Sequence, residues 1–212
     1  MRGMAKSFQD IHYDVLAHRY FDEHPKTDNI LKSVVFALQE MQSKKIYYSC
    51  DEDSRNSFVS SHLTAQLQGT GYTCADQQTG GISLMGKAPG ERDFVVKNGI
   101  GQEILIYEGL NLKTLYKTYI DKHLKKVLDN YNPQGLQYSI LTTYLECDSV
   151  KFNSFFDKYR DYIAEYAPEP YSCIDKPINI RFEGEYLRCM KMEYEVGGIK
   201  FFIYHIIVKM GQ

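Results

Sequence analysis

Two carboxylates stand at the outer ends of two short apolar runs in GERDFVVKNGIGQEILIYEGLNL, the segment from residue 90 to 112. Between the runs, NGIG favours a tight antiparallel turn. Pairing about that turn sets Asp93 opposite Glu108 on one face of the sheet and leaves Glu103 on the other. Opposed like charges destabilise a plain sheet. They become favourable when a hard cation such as Mg²⁺, which prefers carboxylate oxygens, lies between them. The pattern therefore indicates either a metal site or the solvated polar ends of an ordinary hairpin.

A third acid, Glu52, stands in the first turn of a predicted amphipathic helix that precedes this hairpin. The helix is indicated by apolar residues at positions 58, 59, 63 and 67, which have helical spacing. If the helix packs on the sheet, Glu52 can reach the Asp93–Glu108 pair. The alternative is that Glu52 is an ordinary first-turn acid, which the helix dipole favours.

The elements that must position these acids show helical and strand periodicity in turn along the chain. Helices are predicted over 8–23, 27–45, 51–69, 112–132 and 152–166, and strands over 72–78, 92–96, 103–107, 136–146, 178–196 and 199–210. Gly197-Gly198 joins the last two stretches, which predicts a second hairpin. This order predicts an α/β fold with a mixed central β-sheet flanked by helices. We expect an N-terminal helical extension, 1–47, and one further domain, 48–212.

The composition is that of a globular protein, since 43% of the 212 residues are hydrophobic and 25% are charged. The formal net charge of −2 means that any contact with nucleic acid requires a local basic surface. Five widely separated cysteines without a C-x-x-C pair argue against a zinc ribbon and predict reduced thiols. No apolar run approaches membrane-spanning length and no targeting segment is evident, so we expect a cytoplasmic protein without membrane contact.

Four segments, taken in order along the chain, resemble those of the PD-(D/E)XK nuclease superfamily, which has the restriction-endonuclease-like fold. The segments are DEDSRNSF, GERDFVV with ILIYEGLNL, YIDKHLKKVLDNYNPQGLQYSIL, and YHIIV near the end of the chain. More narrowly, they resemble a domain of bacterial anti-phage and mobile-element proteins. The resemblance covers roughly residues 48–210 and leaves the N-terminal helices unexplained.

The resemblance implies a nuclease that uses Mg²⁺ or Mn²⁺ to cleave phosphodiester bonds, with DNA as the expected substrate and anti-phage defence as the expected setting. Asp93 and Glu108 would bind the metal, and Glu52 would support the metal or an outer-sphere water. In such enzymes the cation activates a water for attack on the scissile phosphate and stabilises the charge that develops.

One position departs from the pattern of the superfamily. The lysine that follows the second acid by two residues corresponds to Leu110 in this sequence. Lys113, His123 and Lys126 come from the segment after the second strand, where a migrated catalytic residue is conceivable. His123 stands at the edge of an apolar stripe, so it is alternatively a hydrogen-bonded packing residue.

Four lysines are candidate phosphate contacts: Lys87 in a glycine-rich loop, and Lys117, Lys122 and Lys126 on the predicted helix after the hairpin. Glycine-rich loops allow close backbone approach to a phosphate, although MGKAPG lacks the P-loop pattern. The helical lysines could form a face that contacts the nucleic-acid backbone. The alternative interpretation, which the pattern favours, is the solvated side of an amphipathic helix.

Leu110 and the small net charge also allow a second class of function, a nuclease-like fold without catalysis that regulates by binding nucleic acid or protein. A protein partner or a second copy of the chain would then bind through the N-terminal helices or through a tyrosine-rich surface, which the 18 tyrosines suggest. Metabolic enzyme chemistry has little support, since the sequence contains no dinucleotide fingerprint, no G-x-S-x-G elbow and no H-E-x-x-H motif.

Overall fold

The computed structural model describes residues 25–80, 90–130, 132, 135–182 and 184–211. The predicted helix at 8–23 and the lysine of the glycine-rich loop, Lys87, lie outside these residues. The described α-helices are α1 (Pro25–Ser43), α2 (Glu52–Gln66), α3 (Lys117–Lys125) and α4 (Ser149–Glu165). A 3-10 helix spans Lys45–Ser49, and a π-helical segment, Lys126–Asn130, continues α3.

The strands in the described ranges form one mixed sheet. They are β1 (Thr73–Gly80), β2 (Gly90–Lys97), β3 (Glu103–Leu112), β4 (Tyr138–Leu145), β5 (Ser172–Cys173), β6 (Ile178–Ile180), β7 (Leu187–Val196) and β8 (Ile199–Lys209). The strand order is β1-β2-β3-β4-β8-β7-β5, and β6 also pairs with β7. Strand β4 is parallel to both of its neighbours, β3 and β8, whereas all other neighbouring strands are antiparallel.

One face of the sheet is covered by α1 and α2. Side chains at helical spacing on both helices pack against alternate residues of the strands, as amphipathic helices do on a pleated sheet. Gln42 also connects α1 to the sheet where β7 begins and β8 ends, since its Nε2 donates to the carbonyls of Tyr186 and Lys209 at 3.0 and 2.9 Å. The buried members of this first apolar layer include Ile30, Val34, Leu38, Met41, Val59, Leu63, Phe94, Tyr107, Tyr144 and Ile206.

The opposite face is covered by α3, the π-helical segment and α4. Because successive side chains of a strand point to opposite faces, β3 sends Tyr107 into the first apolar layer and Ile106 into this second one. Helices on both faces of a mixed sheet confirm the predicted α/β class. The buried members of the second apolar layer include Ile106, Leu110, Ile120, Leu124, Val127, Leu141, Phe152, Phe156, Ile163 and Ile203.

The hairpin of β2 and β3 has the register that the sequence predicts. Residues 94–96 lie opposite residues 105–107, and a bulge follows where Lys97 pairs with Glu103. Asn98 closes the turn, because its Oδ1 accepts from two later backbone N–H groups at 3.2 and 3.0 Å. Gly101 has a φ of +82°, a left-handed value that glycine adopts without steric cost. The local turn therefore fixes the pairing that brings the two strand acids to the same end of the hairpin.

The boundary between β3 and α3 differs from the prediction. Helical spacing predicted a helix from residue 112, whereas β3 continues to Leu112 and α3 begins at Lys117. The reason is that Leu112 pairs with Leu145 in the parallel ladder between β3 and β4. A neighbour from a distant segment overrides local periodicity in such cases.

Three smaller predictions concern the second hairpin, the thiols and the membrane. The turn at residues 197–198 forms as predicted between β7 and β8, with both glycines at left-handed φ values. The five cysteines are free thiols, also as predicted. Within the described ranges, no helix combines the length and apolar character that crossing a bilayer requires.

Candidate functional site

The candidate site lies where β2 and β3 separate. Strand β2 pairs with β1 along its length, whereas its pairing with β3 begins only after Asp93. Alternate N–H groups of a strand face its neighbour, and here carboxylates take the place of the neighbouring strand as acceptors. Asp93 Oδ2 accepts from the N–H of Gly109 at 2.6 Å, and Glu52 Oε2 accepts from the N–H of Asn111 at 2.8 Å. Two of the three predicted acids therefore meet at this gap.

The third acid, Glu108, belongs to the face of β3 that α3 covers, and only 1% of its side chain is exposed. Its Oε1 lies 3.0 Å from Nδ1 of His123 and 2.5 Å from Nζ of Lys126. Its Oε2 is buried and has no hydrogen-bond partner among the described residues. An unsatisfied buried acceptor costs about 1–3 kcal/mol, and more when it is charged. This oxygen is therefore the candidate position for an additional ligand.

Helix α3 and its π-helical continuation bring two basic side chains to Glu108. His123 and Lys126 are three residues apart, and residues at that spacing are neighbours on a helix surface. The π-helical segment begins at Lys126, and such segments are frequent at functional sites. The ring of Tyr119 contacts the His123 ring edge-on, with centroids 4.5 Å apart. Tyr119 is not among the site residues predicted from the sequence, although its spacing of four residues from His123 could have indicated the contact.

The three carboxylates interact electrostatically in a poorly hydrated region. Burial raises the pKa of Asp93 well above its ordinary value of 3.8, and the charges of Glu108 and Glu52 raise it further, while the N–H of Gly109 lowers it. Burial also raises the pKa of Glu52, although the N–H of Asn111 lowers it. A carboxylate such as Asp93, whose pKa is raised by burial and by neighbouring negative charges, favours the uptake of a proton or a cation.

The start of α2 is anchored to the sheet by Arg55, a residue that is not among those predicted from the sequence. Its side chain is fully buried and donates to two carbonyls of the preceding 3-10 helix at 3.1 and 2.9 Å. It also donates to Asn111 Oδ1 at 2.5 Å and to Glu146 Oε1 at 3.2 Å. Because Glu52 lies one turn before Arg55, these bonds hold the Glu52 carboxylate against the end of β3. No periodic signal marks such a buried arginine among polar helix residues.

Gly109 allows α2 to approach β3 closely. The side-chain oxygen of Asn56 occupies the space where a Cβ of residue 109 would lie. That oxygen accepts from the Tyr144 hydroxyl at 2.8 Å, and the Tyr144 hydroxyl lies 2.8 Å from that of Tyr107. This buried chain of hydrogen bonds fixes the distance between α2 and the strand that carries Glu108.

We expect Gly109→Ala to lower the free energy of unfolding by about 2–3 kcal/mol, measured by urea denaturation. The new Cβ would collide with Asn56 Oδ1 and stand 2.9 Å from a ring carbon of Tyr144. Asn56→Ala provides the paired control, because it removes the colliding atom. The double variant should therefore lose less stability than the two single variants together. Strictly additive losses would contradict the proposed collision.

The residues at and after position 110, where the resemblance would place a lysine, have different environments. Leu110 is fully buried in the second apolar layer. Lys113 is 80% exposed, and its Nζ lies 3.5 Å from Glu146 Oε2. Lys126, which the sequence predicted as a phosphate contact, has its amine against Glu108. His123, predicted as a catalytic candidate, contacts the same carboxylate oxygen as Lys126.

Three other residues considered from the sequence, Lys117, Lys122 and Glu103, have different surroundings. Lys117 and Lys122 are exposed on α3, and Lys117 Nζ lies 4.7 Å from the ring centroid of Tyr162. Glu103, which the register set aside, forms two hydrogen bonds with Arg92 at 2.7 and 2.8 Å. That bidentate ion pair gives Glu103 a structural partner outside the acidic cluster.

In the part of the chain that the structure describes, no group of three or more His, Cys, Asp or Glu side chains has an arrangement that would hold a metal ion. Glu52, Asp93 and Glu108 are thus an acidic cluster without the geometry of a preformed three-ligand centre. Any ion bound there would need waters or substrate oxygens to complete its coordination.

Comparison of the chain with protein-family models, curated proteins and solved structures finds no significant match. The chemistry of the site is therefore inferred from its own side chains and their surroundings.

Proposed function

We propose that the chain is a divalent-metal-dependent nuclease of the PD-(D/E)XK type, in which Asp93 and Glu108 bind the cation. One observation carries the proposal: carboxylates from α2, β2 and β3 form one interacting cluster, and a buried oxygen of Glu108 lacks a hydrogen-bond partner among the described residues. Buried like charges destabilise a fold, and strongly perturbed carboxylates cluster at functional sites. A cation between the carboxylates would offset their repulsion.

The side chains of the cluster suit Mg²⁺ or Mn²⁺. All three acids offer oxygen donors, which hard cations prefer. Mg²⁺ commonly keeps several waters and takes one or two carboxylates together with phosphate oxygens of the substrate. Asp93 and Glu108 would therefore suffice without a third protein ligand. Glu52, held by the N–H of Asn111, would support a water of the hydration shell.

A bound cation would activate a water and neutralise charge on the scissile phosphate. Lys126 supplies a positive charge at 2.5 Å from Glu108 Oε1, and its side chain is 17% exposed. It can therefore donate to a phosphate oxygen as negative charge develops there. His123 contacts the same oxygen of Glu108 at 3.0 Å and fixes the orientation of the carboxylate. Lys126 would thus replace the lysine that Leu110 displaces from the usual position.

Two further features support a nucleic-acid substrate and a restriction-endonuclease-like fold. The mixed sheet with helices on both faces is compatible with that fold. Exposed lysines on α3, the helix that carries His123, would meet a phosphate backbone, although the net charge of the whole chain is −2. DNA is the substrate that we propose, on the resemblance described above.

A cleavage assay with the purified chain tests this proposal. Single-stranded and duplex DNA and RNA are incubated with Mg²⁺, Mn²⁺ or a chelator, and the products are separated by denaturing electrophoresis. We expect fragments of DNA with either cation and intact substrate with the chelator. Intact DNA and RNA under every cation condition would count against nuclease activity.

We expect Mn²⁺ to raise the melting temperature, and to raise it more near pH 8 than near pH 5. Without the ion, protonated Asp93 and Glu52 stabilise the fold below their ordinary pKa values of 3.8 and 4.5. That contribution is lost as the pH rises through their raised pKa values, because ionised carboxylates repel each other. The ion binds only the ionised form, and at a hundred times its Kd it adds about 2.7 kcal/mol.

Differential scanning fluorimetry at several pH values measures this effect. The charged groups that act on Asp93 are Glu108, Glu52 and Lys126, so the change with pH belongs to the cluster as a unit. In Asp93→Asn the increment from Mn²⁺ should disappear. An equal increment at both pH values would show that the ion binds elsewhere.

A second candidate function, a noncatalytic binding module, is favoured by the partners of Glu108. Lys126 and His123 both engage Glu108 Oε1, as they would in an ion pair that only completes a buried core. This function predicts nucleic-acid or protein binding that Asp93→Asn leaves unchanged, without cleavage in any cation. The cleavage assay and a binding assay on the same variant separate the two candidates.

A further inference from the structure

A pocket of about 380 Å³ opens at the end of β3, next to the acidic cluster. Two of its lining residues also contact the site. The N–H of Asn111 donates to Glu52, and the ring of Tyr119 contacts His123. Its volume lies within the range of roughly 300–1,000 Å³ that is typical of small-molecule sites. The lining residues are Asn111, Leu112, Lys113, Thr114, Tyr116 and Tyr119.

Two tyrosine rings form one wall of this pocket. The rings of Tyr116 and Tyr119 are nearly parallel, with an interplanar angle of 12° and centroids 6.1 Å apart. Tyr116 is 60% exposed, so much of its ring is accessible from the solvent. Exposed aromatic faces of this kind are the surfaces on which proteins stack unpaired bases.

The positive charge at the rim of the pocket would attract a phosphate backbone. Lys113 is 80% exposed, and its contact with Glu146 at 3.5 Å is a surface ion pair worth at most about 1 kcal/mol. A phosphate can therefore compete for Lys113. Lys117, at the start of α3, is also exposed. The pocket itself thus combines an aromatic wall with one accessible amine, that of Lys113, while Lys117 lies outside its lining.

We propose that this pocket stacks an unpaired base next to the scissile phosphate, so that the substrate is single-stranded nucleic acid. Bases within a duplex are covered by their neighbours in the stack, and only an unpaired base can leave that stack to lie against Tyr116. The inference rests on the proposed nuclease function for the position of the phosphate. The binding of a single strand does not itself require cleavage.

Fluorescence anisotropy with the full chain tests the pocket in the presence of a chelator, so that no cleavage occurs. The probes are labelled oligothymidylate, its ribonucleotide counterpart and a DNA duplex. We expect a single strand to bind more tightly than the duplex, and Tyr116→Ala to weaken that binding about tenfold. Tyr116→Phe keeps the ring and should retain the affinity. Phe36→Ala, which removes an exposed aromatic side chain from α1 on the other face of the sheet, should change nothing.

Equal affinity for single strand and duplex would overturn the proposal, and so would an unchanged affinity in Tyr116→Ala. A loss of the same size in Phe36→Ala would overturn it as well, because the effect would then not belong to the pocket. Failure of the nuclease function gives a different result: the single strand binds through Tyr116, but no cation produces cleavage. Cleavage of duplex and single strand alike, indifferent to Tyr116, would keep the nuclease function and reject the pocket.

Discussion

Asp93→Asn is expected to reduce metal-dependent cleavage about 10³-fold and to raise the melting temperature measured without a divalent cation. The amide oxygen of asparagine can still accept the N–H of Gly109, which lies 2.6 Å from Asp93 Oδ2, but it lacks the charge that a cation needs. Burial and the charges of Glu108 and Glu52 raise the pKa of Asp93 in the fold, so above the ordinary pKa of 3.8 this carboxyl makes the wild-type fold less stable, whereas the uncharged asparagine does not. Each kcal/mol of relief corresponds to about 2–4 °C for a chain of this size.

Asp53→Asn is the matched control, because it removes the same charge from an exposed position in the first turn of α2. It should alter neither the cleavage rate nor the melting temperature appreciably. Unchanged cleavage in Asp93→Asn would contradict the assignment of Asp93 as a metal ligand. A lower melting temperature would show instead that the Asp93 charge stabilises the fold through Gly109.

Lys126→Gln is expected to reduce cleavage about 100-fold while the Kd for Mn²⁺ falls about tenfold. The amine, 2.5 Å from Glu108 Oε1, would stabilise negative charge on the phosphate during the reaction. In the resting protein the same amine repels a cation at that carboxylate, so its loss favours metal binding. A glutamine amide can still donate to Glu108, which limits the cost of leaving the carboxylate buried. Misfolding would not lower the cleavage rate and at the same time raise the affinity for Mn²⁺.

Two further variants make the assignment of Lys126 specific. Lys125→Gln, at the exposed neighbouring position on α3, should leave both quantities unchanged. Leu110→Lys, added to Lys126→Gln, returns a lysine to the position that the superfamily uses. It should not restore cleavage, since Leu110 is fully buried in the second apolar layer and a charged amine there costs several kcal/mol. Restored cleavage would show that a lysine at position 110 can reach the site, which would contradict the predicted effect of burying its amine in the second apolar layer.

Much of the local architecture was predictable because it depends on neighbours in sequence. The turn at Asn98 and Gly101 sets the pairing of β2 with β3, and the observed register matches the predicted one. Helix α1 and the final hairpin were also predicted correctly, from helical spacing and from the two adjacent glycines. The boundary of β3 was not predictable, because Leu112 is held in the strand by Leu145 of β4.

The sequence by itself determined the acids and the strand register that directs two of them, Asp93 and Glu108, toward the same end of the hairpin. Only the tertiary structure decided which basic groups meet Glu108 and which backbone N–H groups hold Asp93 and Glu52. Those contacts arise where β2 leaves β3, and where α3 folds back across the face of β3 that carries Glu108. The physical reason is the range of the interactions. Turn geometry is decided within a few residues, whereas the packing of α2 and α3 depends on apolar layers assembled from the whole chain.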